Sequence, residues 1–338
     1  MSKKSSALAA AGILAAAVVL SGFSIYKDSH QKNSTDGTIT LRMAQTSSQA
    51  GAIGQSMEAF ADRIYDETEG KYKIETYHNG QLGAEIDTIE GCQMGTIDIA
   101  VVNQSTIGNF INDFQALDIP YLITSTEQAD AVFLGDIGTR FLDKLSGVQL
   151  YGLGIWESGF RNLTNSKRDV NSVDDVAGLK IRTMENSYHM DFWKKLKASP
   201  TPMSFSEVDI GLQQGTIDAQ ENPYEVIVSN KLYEQQDYVV ETNHLPHLIS
   251  LIVSDEFFQD LPEDKQAILV EAAEIAKEEA RQASDDRIAD KIKVIEDSGT
   301  QIVTLSDELR AEIREAVQPV YDEIEKNVDK KLYNAYMK

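Results

Sequence analysis

The chain has 338 residues, 42% hydrophobic and 25% charged, which is apolar material for about two packed lobes and excludes a disordered chain. Acidic residues outnumber basic ones 54 to 31, a net charge of −23, so the far field repels nucleic acid and anionic lipid. A single cysteine, Cys92, excludes an intramolecular disulfide and a cysteine-based metal site, and is read as a small buried apolar side chain.

In chain order, Lys3 and Lys4 precede an uncharged apolar run from Ala7 to Leu20, the pattern of an export signal over residues 1–24, with an uncleaved anchor as the alternative. Leu20-Ser21-Gly22-Phe23 resembles a lipobox, but Phe23 stands where a lipid-bearing Cys would be. Residues 25–37 are polar and rich in turn formers, hence a tether. Thr38 to Met43 alternates as a strand, Gly54 to Glu67 has helical spacing and Tyr72 to Tyr77 alternates again, so the fold opens as α/β.

A helix over Ala84 to Met94, ended by Gly95, leads into a strand from Thr96 to Val102. Ser125-x-x-Gln128 caps a helix reaching about Leu145, and Val148 to Ile155 forms a strand. In the second half, Ser172-x-x-Asp175 opens a short turn, Leu179 to Thr183 is a strand and Ser187 to Leu196 is a helix. The prolines of ASPTPM keep the next segment extended. Ser204-x-x-Glu207 reads as a capping box for a helix to Gln214, stopped by Gly215. QMGTID at 93–98 and QQGTID at 213–218 therefore mark the same helix-to-strand turn twice. Strands follow at Tyr238 to Thr242 and Leu248 to Val253, then one helix from Pro262 to about Asp297, a strand at Gln301 to Leu305, and a helix from Ser306 to the C-terminus.

No nucleophile elbow, phosphate loop, H-E-x-x-H or G-x-G-x-x-G occurs in the sequence. His244-Leu245-Pro246-His247 lacks the further ligands that zinc needs, so no metal is expected. Arg182, within the apolar strand LKIRT, and Arg161, after GIWESG, are candidates for gripping an anion, because a guanidinium offers a planar fork that matches a carboxylate. Taken singly, each is more readily read as a solvent-facing arginine. Asn222, fixed by Pro223 at a strand's C-terminal end, is a candidate ligand-directed amide, or an ordinary turn residue.

The stretches GFRNLTNSKRDVNSVDDVAGLKIRT and ASPTPMSFSEVDIGLQQGTIDAQENP, with HNGQLG, ETNH and LPED in support, resemble the solute receptors of tripartite ATP-independent periplasmic (TRAP) transporters, the DctP-like family. The resemblance runs from about Thr38 to the C-terminus. It implies a type II-like periplasmic binding fold: two α/β lobes, 38–158 plus 247–297 and 159–246 plus 298–338, joined by crossing strands and a long helix, closing over a ligand. It also implies an extracytoplasmic, non-enzymatic receptor without a cofactor. Such a receptor acts as a monomer and passes an organic acid to membrane transport subunits. Arg182 matches the family's carboxylate-gripping arginine, Arg161 a second basic contact, Phe205 a ring in the cleft and Asn222 a polar contact. Trp156, Gln45 and Gln104 are further expected contacts. Met184 replaces a proline frequent in relatives, and Glu185 follows it. A carboxylate there disfavours a plain C4-dicarboxylate and suits a sugar acid or another hydroxylated acid. The alternatives are a sensory receptor of the same fold, a C4-dicarboxylate receptor, and a secreted hydrolase using Glu157 with Glu185.

Overall fold

The computed structural model describes residues 37–338 except Asp286. The expected signal and nearly all of the tether lie outside the described residues. Eleven strands form among them, β1 (Ile39–Ala44), β2 (Tyr72–Tyr77), β3 (Ile99–Asn103), β4 (Leu150–Phe160), β5 (Asn162–Asn165), β6 (Lys180–Thr183), β7 (Ser199–Pro202), β8 (Ala219–Asn222), β9 (Tyr238–Glu241), β10 (Pro246–Ser254) and β11 (Gln301–Thr304). They make two sheets, ordered β2-β1-β3-β10-β4 and β11-β9-β5-β8-β6-β7.

The first sheet is parallel through β2, β1 and β3, then antiparallel where β10 enters between β3 and β4. β3 and β10 are buried along their whole length, as apolar strands covered on both faces must be. The helix Ala52–Glu67 turns Met57, Phe60, Ala61 and Ile64 inward, the i, i+3, i+4, i+7 stripe of a core-facing helix. These side chains share a core with Ala272, Ala273 and Ala276 of the helix Glu263–Asp285 and with Leu251 and Val253 of β10. Cys92 is fully buried beside Ile89 in the other large core.

Two direct strand crossings join the sheets. β4 of the first sheet ends at Phe160 and β5 of the second begins at Asn162, leaving only Arg161 between them. The return strand runs alongside, with Pro246 opposite Phe160 and the Arg161 amide donating to the Leu245 carbonyl at 2.8 Å. Arg161 is thus held at the seam by the chain path itself. Gly159 precedes it with φ +88°, where a Cβ would also come within 3.0 Å of Pro223, so the bend into the crossing needs glycine.

The doubled phrase has one geometry in both places. In each copy the Thr amide (Thr96, Thr216) bonds back to a helical glycine carbonyl (Gly91, Gly211), at 2.9 and 3.0 Å. In each, the Asp carboxylate (Asp98, Asp218) accepts the amide of a neighbouring strand, Arg42 at 2.7 Å and Lys180 at 3.3 Å. The Thr-Ile-Asp residues form the turn, and the strands begin after them, at Ile99 and Ala219.

Helix ends differ from the periodic reading in several places. The helix after Ser125 breaks at extended Gly135 into Thr126–Phe133 and Asp136–Leu142. The helix expected over 262–297 is two, Glu263–Asp285 and Ile288–Asp297, with Arg287 outside helical geometry at φ −108°, ψ 6°. The first packs on the helix Ala52–Glu67, the second on the helix Tyr224–Ser229 and β11, so the pair reaches from one lobe to the other. The last helix ends at Asn327, and Asp329 caps a separate helix, Lys330–Tyr336. Ser204 does not cap: its hydroxyl bonds the Ser206 hydroxyl at 2.9 Å, and a 3-10 turn precedes the helix Val208–Gln213. Ser172 likewise makes no side-chain cap, its hydroxyl donating to Asp175 at 2.8 Å. At the seam, Glu225 of the helix Tyr224–Ser229 accepts from the Ala52 amide at 2.7 Å, pairs with Lys291, and so ties the first lobe's helix to the second lobe.

Candidate functional site

Between the sheets lies a cavity whose lining comes from both. The first side contributes Gln45 and Thr46 after β1, Glu85, Asn103 from the end of β3, Thr106, and His247 and Ile249 from β10. Arg161 enters from the seam, and the second side contributes Arg182, Met184, Glu185, Phe205, Asn222 and Val226. Most of these residues sit at or just past strand ends, where backbone polar groups are free of the ladder and side chains converge.

Arg182 is 3% exposed. Its Nε and Nη2 both donate to the Met203 carbonyl, at 2.9 and 2.7 Å, and the guanidinium carbon lies 5.6 Å from the centroid of the Phe205 ring. Those contacts hold the guanidinium plane, while Nη1 has no hydrogen-bond partner among the described residues and the residue lines the cavity. Burial pulls its pKa down to about 10, with Glu221 opposing and Arg161 adding to the fall, so it stays charged at neutral pH.

Arg161, 1% exposed, is committed to the protein along one edge. Its Nε pairs with Glu221 Oε2, and Nη2 donates to Glu221 Oε1 at 3.0 Å and to the Glu221 carbonyl at 2.7 Å. Nη1 reaches His247 Nδ1 at 2.6 Å. Burial alone would raise the Glu221 carboxyl, but the Arg161 charge and the nearby His189 and His244 rings outweigh it and hold Glu221 well below the ordinary range. A buried pair of this kind persists only when its remaining bonds are satisfied. Behind it, His189 Nε2 lies 3.1 Å from Asp118, which also accepts from Ser105 Oγ at 2.5 Å and Asn186 Nδ2 at 2.7 Å. Burial pulls the His189 imidazole down, yet Asp118 and Glu221 bring it above its ordinary value.

Opposite the two arginines stands Glu85. Its Oε1 accepts the Asn103 amide at 3.1 Å and its Oε2 the Thr106 hydroxyl at 2.5 Å. Burial raises this carboxyl, more than Thr106, Asn103 and the two arginines lower it. Gln45 is aimed by His78, its Nε2 lying 2.8 Å from His78 Nδ1, while His78 Nε2 lies 2.7 Å from Glu58. The Asn222 Nδ2 donates to Gln220 Oε1 at 2.6 Å, which leaves its carbonyl oxygen as the group for the cavity.

Of the residues expected from sequence, Arg182, Arg161, Asn222, Phe205, Glu185 and Gln45 are brought together around this one cavity. Glu185 is exposed at its mouth. Two are placed elsewhere. Gln104 is buried under Ser250, whose hydroxyl donates to it at 3.4 Å, while its neighbour Asn103 faces the cavity; the strand ends at Asn103, and consecutive side chains there point to opposite sides. Trp156 lies on β4 opposite Ile249, one strand farther from the cavity, and packs with Met43, Phe60 and Leu251 in the first core. The carboxylate pair invoked for a hydrolase is not assembled. Glu157 is not in the cavity lining, and its side chain accepts from the Gly159 amide.

Sequence reasoning missed Glu85, Asn103 and Thr106, whose local contexts carry no motif of their own. It also treated His244 and His247 only as metal ligands. They brace the seam instead, with His244 Nε2 at 3.3 Å from Glu221. The usable signal was the ETNH stretch leading into β10, which places both histidines next to the crossing.

Comparison with known proteins agrees with this geometry. Residues 43–327 match the family model DctP, bacterial extracellular solute-binding protein family 7. A solute-binding protein of Verminephrobacter eiseniae is 34% identical over 292 residues, 86% of each chain. The solved structure of the sugar acid binding protein of Advenella mimigardefordensis in complex with galactonate is 31% identical, with a TM-score of 0.86 over 89% of this chain and 97% of that one. A TRAP periplasmic solute binding protein of Sulfurospirillum deleyianum with bound succinate is 26% identical, with a TM-score of 0.83 over 88% and 97%. A two-sheet α/β fold with an arginine-bearing cavity at its seam, matched along nearly its whole described length, places this chain among the bacterial extracellular solute-binding proteins of family 7.

Proposed function

We propose that this protein is the extracytoplasmic receptor of a TRAP transporter, that it captures a hydroxylated monocarboxylate of the sugar-acid type, and that it delivers this ligand to membrane transport subunits. Export would rest on the N-terminal apolar segment. The observation that carries the ligand class is the inventory of free groups in the cavity. Arg182 Nη1 and the remaining Nη1 hydrogen of Arg161 are donors for a carboxylate. Glu85, Gln45 and the Asn222 carbonyl oxygen are acceptors, and acceptors take hydroxyl protons. In its ionised form Glu85 would meet a second ligand carboxylate as a like charge, which disfavours a compact dicarboxylate such as the succinate held by the Sulfurospirillum relative. Glu85 adds a second carboxylate to the Glu185 expected from the sequence.

Mass spectrometry of ligand retained by the purified protein is the direct test, followed by calorimetric titration with a six-carbon aldonate and with succinate. The aldonate is expected to bind more tightly, and Glu85→Gln to narrow the gap by about tenfold, the equivalent of one hydrogen bond to a charged group. Tighter binding of succinate to the unaltered protein would overturn the ligand class.

A further inference from the structure

His247 contributes to the cavity a group whose chemistry its neighbours dictate. The ring lies on β10 and is 7% exposed. Two nitrogens point at its Nδ1: Arg161 Nη1 at 2.6 Å and Asn103 Nδ2 at 3.1 Å. A guanidinium has no lone pair, so the first contact is Arg161 donating. The second is a donor as well. Asn103 Oδ1 already accepts the Ser105 amide at 3.1 Å, capping the short helix that follows β3, which leaves Nδ2 to face the imidazole. With two donors converging on it, Nδ1 must offer its lone pair, and the single ring proton resides on Nε2. Nε2 has no partner among the described residues and lies on the ring edge away from Arg161 and Asn103, in a ring that lines the cavity. Burial, followed by the Arg161 charge, keeps the imidazole neutral by holding its pKa well below the ordinary value.

We infer that His247 is a specificity residue, its Nε2–H donating to the oxygen substituent on the carbon next to the ligand's carboxylate, so that acids bearing an oxygen at that carbon are favoured over their deoxy counterparts. The inference rests on the sugar-acid reading above. Its geometric reason is sequence of placement. Arg161 and Arg182 supply the carboxylate donors, and His247 is bonded to the Nη1 end of Arg161, so its donor is the next one along the cavity wall. Asn103 ties this donor to the acceptor beside it, since the same residue gives its backbone amide to Glu85 and its side-chain amide to His247. A hydroxyl placed there would accept from the imidazole and donate to the carboxylate.

The test uses the full exported chain, two probes and two variants. The probes are a six-carbon aldonate and its 2-deoxy analogue. His247→Asn keeps an acceptor where Nδ1 stood, preserving the Arg161 and Asn103 bonds, and removes the cavity donor. His247→Gln puts an amide N–H near the position of Nε2. His247→Asn is expected to weaken the aldonate about tenfold, to leave the 2-deoxy acid within about twofold, and to be partly rescued by His247→Gln. Equal losses for both acids would show that the ring acts only by holding Arg161, and would overturn the inference while leaving the sugar-acid reading intact. An unaltered protein that binds neither acid would overturn that reading, and the inference with it. Nitrogen NMR of the ring, which needs no ligand, is expected to show Nδ1 unprotonated; the reverse tautomer would also overturn the inference.

Discussion

At the scale of single residues, the cavity is built from side chains that are fixed before any ligand arrives. Arg182 spends two of its nitrogens on one carbonyl and stands over an aromatic ring. Arg161 is locked to Glu221 through three contacts. Such pre-placement lowers the ordering cost of binding, and a closed cleft with little water strengthens each charge contact. Truncating one partner of a desolvated pair typically costs about 2–5 kcal/mol. Arg182→Ala is therefore expected to weaken acid binding by roughly 30-fold or more by calorimetry, with thermal unfolding of the free protein little changed, because its own bonds go to a single carbonyl. A loss of only two- or threefold would count against its role.

At the scale of elements, the lobes repeat one device. A helix ends at a left-handed glycine, a Thr-Ile-Asp turn follows, and the Asp side chain pins the adjoining strand. Gly215 has φ +69°, and a Cβ added there would touch nothing within 4 Å. The cost of Gly215→Ala is then backbone strain alone, about 1–2 kcal/mol. It should appear as a lower urea midpoint at unchanged denaturant slope. A variant as stable as the parent would show that the left-handed turn is not what ends the helix. The strands that follow the two turns, β3 and β8, end at Asn103 and Asn222, which both line the cavity.

At the scale of the whole molecule, one buried polar network spans the seam. Asn103 and His247 belong to the first sheet, Glu221 to the second, and Arg161 lies between them. Its carboxylate contributes a stabilisation that depends on pH. The folded Glu221 pKa is well below its ordinary 4.5, so the unfolded chain binds the proton first as pH falls. The stabilisation is present above that ordinary value and is lost as pH drops toward the folded one. Glu221→Gln is expected to be less stable than the parent near neutral pH by about 3–5 kcal/mol, because Arg161 is left buried without its counter-charge. The difference should shrink as the solution is acidified below about pH 4.5. A gap that stays constant with pH would show that Glu221 acts by shape and hydrogen bonding rather than by charge.

Much of this is legible in the sequence. Strands, glycine terminators and the amphipathic helices follow from local periodicity and backbone preference, which depend on near neighbours in the chain. The motif around Arg161, Arg182 and Asn222 was specific enough to point to the family and to half of the cavity. What sequence could not supply was convergence. Glu85, Asn103, Thr106 and His247 come from separate segments and carry no shared pattern, so only the folded chain brings them to one place. The misplacement of Gln104 turned on a single residue at a strand end, where one step reverses the side-chain direction, and that of Trp156 on one strand's distance across a sheet. The sequence by itself determined the lobes' local elements and the basic residues between them. The tertiary structure decided which polar groups are spent on each other and which remain for a ligand, because hydrogen-bond satisfaction belongs to the assembled site and not to any one segment.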